Sequence, residues 1–252
     1  MITFLETLKE RNELLFYFSL ASVMMAILSL VLVKLYPIDL LGTSAWFKPF
    51  KFWLSSAILA STMAWYLHYI GKVPSVQIYS WGLILLLLVE DVYITWQASK
   101  GQLSHFNVST PFYSFMFSVM AFCAVVIALW TAYYGLLFFI RDFPALPPAY
   151  LWGIRLGIVV FVVFALQGLT MGSQLSHTVG APDGTKGLPV VGWSRQFGDL
   201  RIAHFLGMHA LQIIPLVSFY LLRDAKWAIA FGIGYLLFTS FTFWWALQGR
   251  GW

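Results

Sequence analysis

The run from Pro111 to Ile140 contains no charged residue and no histidine. An α-helix needs roughly 20 apolar residues to cross a bilayer, and this run exceeds that length without a break. Similar runs recur along the whole chain. Inside hydrocarbon the backbone must satisfy its own hydrogen bonds, so spanning segments of this kind are helical. Charged residues make up 10% of the sequence and hydrophobic ones 60%, against about 25% charged in soluble domains. The mean hydropathy is +0.80. These values predict an all-α, polytopic integral membrane protein, a single transmembrane domain occupying residues 1–252. Seven transmembrane helices are expected, over residues 13–36, 52–71, 75–96, 111–140, 148–172, 201–222 and 226–247.

The first residues, MITFLETLKERN, mix acids with bases, and the apolar run after them is too long for a signal peptide. Cys123 is the sole cysteine, which excludes an intrachain disulfide and a thiolate metal cluster. The net charge of +5 suits contact with anionic lipid headgroups. Basic residues are scattered among aromatics, a pattern that does not suggest nucleic acid. With seven spans, the connections after residues 71, 140 and 222 are short and share one face. The longer ones, at 36–51, 97–111 and 172–200, share the other, and almost every unusual polar residue lies on that long-loop side. Lys and Arg divide nearly evenly between the faces, Lys186 and Arg250 counting to the long-loop side. Discounting long-loop basics that have a role tips the positive-inside rule toward a cytoplasmic N-terminus. The functional face would then lie outside the cytoplasm.

The segment Gly192–Pro215, GWSRQFGDLRIAHFLGMHALQIIP, carries Asp199, Arg201, His204, His209 and Gln212 into an otherwise apolar span. Polar groups in hydrocarbon are costly and mark function by default. His204 lies about 5 Å and His209 about 12 Å into the helix, about 140° apart around it. That angle prevents them from forming a two-histidine metal clip by themselves. Gln212 falls between them. Asp199 is placed to cap the helix. Glu90 and Asp91 fall near the end of the third span, where Glu90, Tyr93, Gln97, Lys100 and Ser104 share a face if the helix continues. His105 follows as the chain exits. The segment 173–200 is glycine-rich but also holds Val190, Val191 and Trp193, as an ordered cap loop would. It contributes His177 and Arg195, and its Asp183–Gly184 pair reads as ordinary turn chemistry. Lys48 and Lys51 bracket Pro49 at the start of the second span. His68, among Trp65, Tyr66 and Tyr69, reads as an interfacial side chain on the opposite face.

The stretches KPFKF (48–52), YITWQASKGQLSHFN (93–107), SHTVGAPDG (176–184) and GWSRQFGDLRIAHFLGMHALQ (192–212) resemble a group of bacterial seven-span membrane proteins. The resemblance implies the helical layout and a place in the bacterial inner membrane, and it carries no activity. The layout is also similar to that of the transmembrane zinc hydrolases of the ceramidase type. The chain departs from them in lacking HxxxH, because four residues separate His204 from His209.

The histidine-rich polar face points first to a haem- or metal-binding redox protein. In that reading His105 or His177 pairs with His204 or His209 to hold haem b or a transition metal. Lys48, Lys51, Lys100 and Arg195 would meet propionates, with Gln212 hydrogen-bonding beside the histidines. A quinone or another membrane redox subunit would be the partner. The second reading is a metal-dependent hydrolase or oxidase with Glu90 as ligand or general base. The third is a proton-coupled small-solute transporter, in which Glu90, His204 and His209 relay protons. An accessory subunit of a larger complex is the fourth.

Overall fold

A computed structural model describes residues 2–185 and 187–252 of the chain, so Lys186 lies outside the described residues. The chain divides into two compact units, Met1–Cys123 and Ala124–Trp252. The first comprises α1 (Ile2–Arg11), α2 (Glu13–Leu35), a two-residue antiparallel pair β1 (Asp39–Leu40) and β2 (Thr43–Ser44), α3 (Phe47–Ile70) and α4 (Pro74–Ser99). The helix α5 (Pro111–Ile140) begins in the first unit and ends in the second. The second continues with α6 (Pro148–Gln174), β3 (Thr178–Val179), β4 (Gly198–Asp199), α7 (Leu200–Val217), a π-helical turn over Ser218–Leu222, and α8 (Ala225–Leu247).

Local chemistry sets these boundaries. Asn12 caps α2, its side-chain oxygen accepting from the Leu15 amide at 3.1 Å, while its Nδ2 donates to Ser80 Oγ on α4 at 2.9 Å. The helices α4, α5 and α6 each start on a proline, whose missing N–H has no intrahelical partner at a first turn and whose fixed φ suits helix entry. Gly71 leaves α3 with φ 103°, a conformation open to glycine and costly for other residues.

Six helices are long and apolar enough to cross a membrane: α2, α4, α5, α6, α7 with its π turn, and α8. They make the chain a helical membrane protein in contact with lipid. The expected seventh segment is present as α3, 24 residues long, but its apolar character is diluted by Lys48, Lys51, Ser55, Ser56, Ser61, Thr62 and His68. Its Ser56, Ala57, Ala60 and Ala64 are buried, and such small residues let membrane helices approach closely. The other addition is α1, over the residues that precede the first expected span. Phe4 stacks on Trp65 with ring centroids 5.6 Å apart. The Arg11 guanidinium lies 3.6 Å over the same indole and donates to the Trp65 carbonyl at 3.2 Å. These contacts pack α1 against the far end of α3.

In the second unit α6 and α7 approach through glycines. A Cβ on Gly157 would stand 2.9 Å from the Ala210 carbonyl oxygen, and one on Gly207 would overlap the Phe164 side chain. Pro215 lies inside α7. It removes a backbone donor, and the helix continues past it as the π turn, a common form of local adjustment. The segment between α6 and α7 folds over itself. Thr178 pairs with Asp199 and Val179 with Gly198, Gly187 bridges Ser194, and the Leu188 amide donates to the Trp193 carbonyl at 2.8 Å. Gly198 sits so close to the Ala246 carbonyl of α8 that no side chain fits there.

Candidate functional site

In the first unit the polar interior belongs to α4. The helix runs to Ser99, further than the sequence suggests, so Glu90 lies about 14 Å from its end at 1.5 Å per residue. Glu90 is 9% exposed and Asp91 1%. Among the described residues, Glu90 Oε1 and both Asp91 carboxyl oxygens are buried without a hydrogen-bond partner. The Ser56 hydroxyl of α3 stands beside the Asp91 carboxyl. Cys123 of α5 is close enough to Glu90 to interact electrostatically.

One and two turns further, Tyr93 and Gln97 are also buried. Gln97 Nε2 donates to Tyr93 Oη at 3.2 Å and to the Leu103 carbonyl at 3.1 Å, while Gln97 Oε1 is buried with no partner among the described residues. The helix stops before Lys100, and Gly101 turns the chain with φ 64°. Lys100 and Ser104 therefore leave the face that an unbroken helix would have given them. The Lys100 ammonium sits 3.4 Å over the exposed Trp96 ring. Lys48 and Lys51 are half-buried at the start of α3, Lys48 standing 5.9 Å from the Phe52 ring. The His105 ring packs against Phe52, Phe106 and Phe117 at 5.5–6.3 Å, and its Nδ1 is 3.2 Å from Ser104 Oγ. His68 is exposed and packs edge-on to Tyr69.

The second unit holds His177, Arg195, His204, His209 and Gln212. His204 Nδ1 lies 2.7 Å from the Phe164 carbonyl of α6, which requires Nδ1 to carry the proton as donor. Its ring rests on Gly168, where an added Cβ would come within 3.0 Å of Cε1. His177 lies close enough to act on His204 electrostatically. His209 faces another sector: it packs on Phe205 with centroids 4.3 Å apart and interacts with Gln212. Phe205 in turn meets Trp193 at 5.2 Å. Arg195 is exposed on the loop. Among the described residues no three His, Cys, Asp or Glu side chains converge as metal ligands.

The loop is organised by two aspartates. Asp199, fully buried, caps α7 through the Arg201 amide at 3.1 Å, accepts from the Ser194 amide at 2.9 Å, and takes a forked pair from Arg201 Nε and Nη2 at 2.9 and 2.6 Å. Arg201 also donates to the Gly192 carbonyl at 2.6 Å. Asp183, which its Asp-Gly pair marked only as a turn, accepts from Ser176 Oγ and from the His177 and Thr178 amides, each at 3.0 Å, and lies 2.7 Å from His177 Nδ1.

Burial alone would raise the Asp183 carboxyl, but the hydrogen bonds and charge of His177, joined by Thr178, hold it below the ordinary carboxylate range. A depressed folded value means the contribution to stability is complete above the unfolded value, about pH 4, and is lost as pH falls through the folded one. Amide exchange over residues 176–184 is therefore expected to stay slow from pH 8 down to pH 5 and to rise only in stronger acid. In Asp183→Asn it should already be fast at neutral pH. Slow exchange in that variant would remove Asp183 from this role.

No family model, curated protein or solved structure matches this chain. The site is accordingly defined by its own chemistry.

Proposed function

We propose that this chain is a proton-coupled integral membrane protein, with Glu90 and Asp91 of α4 as the groups that bind and release the proton. One observation carries the reading: two adjacent carboxyls are buried in a spanning helix, with three of their oxygens lacking a hydrogen-bond partner among the described residues. An ionised carboxylate removed from water costs several kcal/mol or more unless it is paired, so a proton or cation must neutralise the pair. Ionisable residues in such positions serve proton relays and solute pathways. In this account α3 is a seventh span, its weak hydropathy offset by packing against α2 and α4, and the coupled process is passage of a small solute.

The test is an infrared titration of the detergent-purified full chain. A protonated carboxyl has a C=O stretch that a carboxylate lacks. The wild type is expected to gain and lose such a band with pH, and the band should shrink in Glu90→Gln and vanish in Glu90→Gln/Asp91→Asn. A band unchanged by both substitutions would overturn the assignment.

A second reading keeps the redox expectation, now centred on His204. Its Nδ1 is committed to the Phe164 carbonyl, which fixes the tautomer and ring orientation as outer partners do for ligating histidines. Haem b or a transition metal would then bind on the Nε2 side. Stoichiometric iron or copper in purified protein, lost in His204→Ala, is the expected result of this reading, and metal-free protein that still transports would refute it.

A further inference from the structure

We infer that Tyr93 is the proton relay between Glu90 and the long-loop face, and that Gln97 positions it; this rests on the proton-coupled reading of Glu90 and Asp91. Glu90, Tyr93 and Gln97 occupy positions i, i+3 and i+7 of α4 and are all buried. That spacing places them along one helix face toward the end at Ser99. They form a polar file in an otherwise apolar span, flanked by Ile94, Met116, Phe117 and Met120.

The hydrogen-bond directions make the file asymmetric. Gln97 gives its amide hydrogens to Tyr93 Oη and to the Leu103 carbonyl. Tyr93 therefore receives from the loop side, and its own hydroxyl hydrogen remains to be given. The residue one turn back on the same face is Glu90, whose Oε1 has no hydrogen-bond partner among the described residues, so a bridging water must join the two. In the relay step a hydronium ion from the long-loop face gives a proton to Tyr93 Oη and is left as water, the existing Tyr93 O–H bond breaks, and that proton passes through one bridging water to form a new O–H bond on the Glu90 carboxylate. Tyr93 ends as it began, a neutral phenol, and Glu90 gains one proton. Gln97 does not transfer a proton: it ties Tyr93 to the 101–105 turn and presents a buried carbonyl oxygen to water entering there.

The groups that face this file are few. On α4 itself there is Asp91. The helix α5 contributes Cys123 near Glu90 and Tyr113 near Tyr93. From α3 comes Ser56 beside Asp91, with Lys48 and Lys51 further toward the long-loop end. The turn beyond α4 adds His105, held against Ser104.

The test follows the carboxylic C=O band of the full chain after a rapid pH jump. In Tyr93→Phe the ring is kept and only the hydroxyl is lost. The band should reach the wild-type amplitude but about tenfold or more slowly, the low end of what a positioned proton-transfer group contributes. Gln97→Leu should slow it by a smaller factor, again at unchanged amplitude, which a mere loss of folding would not do. Wild-type rates in both variants would overturn the relay while leaving the carboxyl pair in place. A wild-type protein whose band ignores Glu90→Gln would instead remove the proton-coupled reading, and the relay with it.

Discussion

Glu90→Met combined with Asp91→Asn is expected to give a protein that is more heat-stable than the wild type and without proton-coupled activity. Methionine has a volume similar to glutamate and needs no hydrogen-bond partner. Asparagine keeps the shape of Asp91 and cannot ionise. Each buried polar group without a partner costs about 1–3 kcal/mol, and replacing buried charges by apolar residues of similar volume is often stabilising. The gain expected, which comes from Glu90→Met, is therefore about 1–3 kcal/mol, read as a rise in the unfolding temperature of the detergent-solubilised chain. Stability gained together with function lost is the signature of groups kept for activity at the expense of the fold. A fall in unfolding temperature would mean that Glu90 and Asp91 are structural.

Asp199→Ala is expected to act in the opposite direction. The side chain is fully buried and accepts from the Ser194 amide, the Arg201 amide and both Arg201 Nε and Nη2. Truncation removes the α7 cap, typically worth about 1 kcal/mol, and leaves the Arg201 guanidinium, partly buried, without its counter-charge. Losing one partner of a buried pair costs about 3–5 kcal/mol. Because Arg201 retains some exposure and the Gly192 carbonyl, the lower part of that range is expected. Asp199→Asn, which keeps the acceptor for the Arg201 amide, should lose less. Equal unfolding temperatures for Asp199→Ala and the wild type would contradict this account of the loop.

The architecture was legible in the sequence because hydrocarbon imposes a simple rule of length and polarity. The expected bounds of the fourth and seventh spans, 111–140 and 226–247, are within a residue of α5 and α8. The rule failed where packing replaces lipid as the surroundings. In α3, the buried Ser56 and the part-buried Ser55, Ser61 and Thr62 lower the hydropathy that the rule depends on. The short helix α1 escaped notice because its contacts, Phe4 and Arg11 with Trp65, lie far apart in sequence.

The candidate site was legible in part. Glu90, Tyr93 and Gln97 were placed on one face by helical spacing, and Asp199 was read as a cap. Lys100 and Ser104 belonged to that face only if the helix continued; it ends at Ser99 and Gly101 turns the chain away. The histidines were grouped by nearness in sequence and shared membrane side. In the structure His105 belongs to the first unit and His177, His204 and His209 to the second, and within the second His204 and His209 take different neighbours. Asp183 was passed over because Asp-Gly is common in turns. Its role depends on His177, six residues back, whose amide and ring both reach it.

The most direct measurement of the central claim is proton flux. Full-length protein in liposomes with an internal pH-sensitive dye, exposed to a pH gradient and candidate small solutes, should move protons in a manner dependent on the solute. The Glu90→Met/Asp91→Asn protein, folded and at least as stable, should move none above empty vesicles. Flux in that variant equal to the wild type would contradict the account.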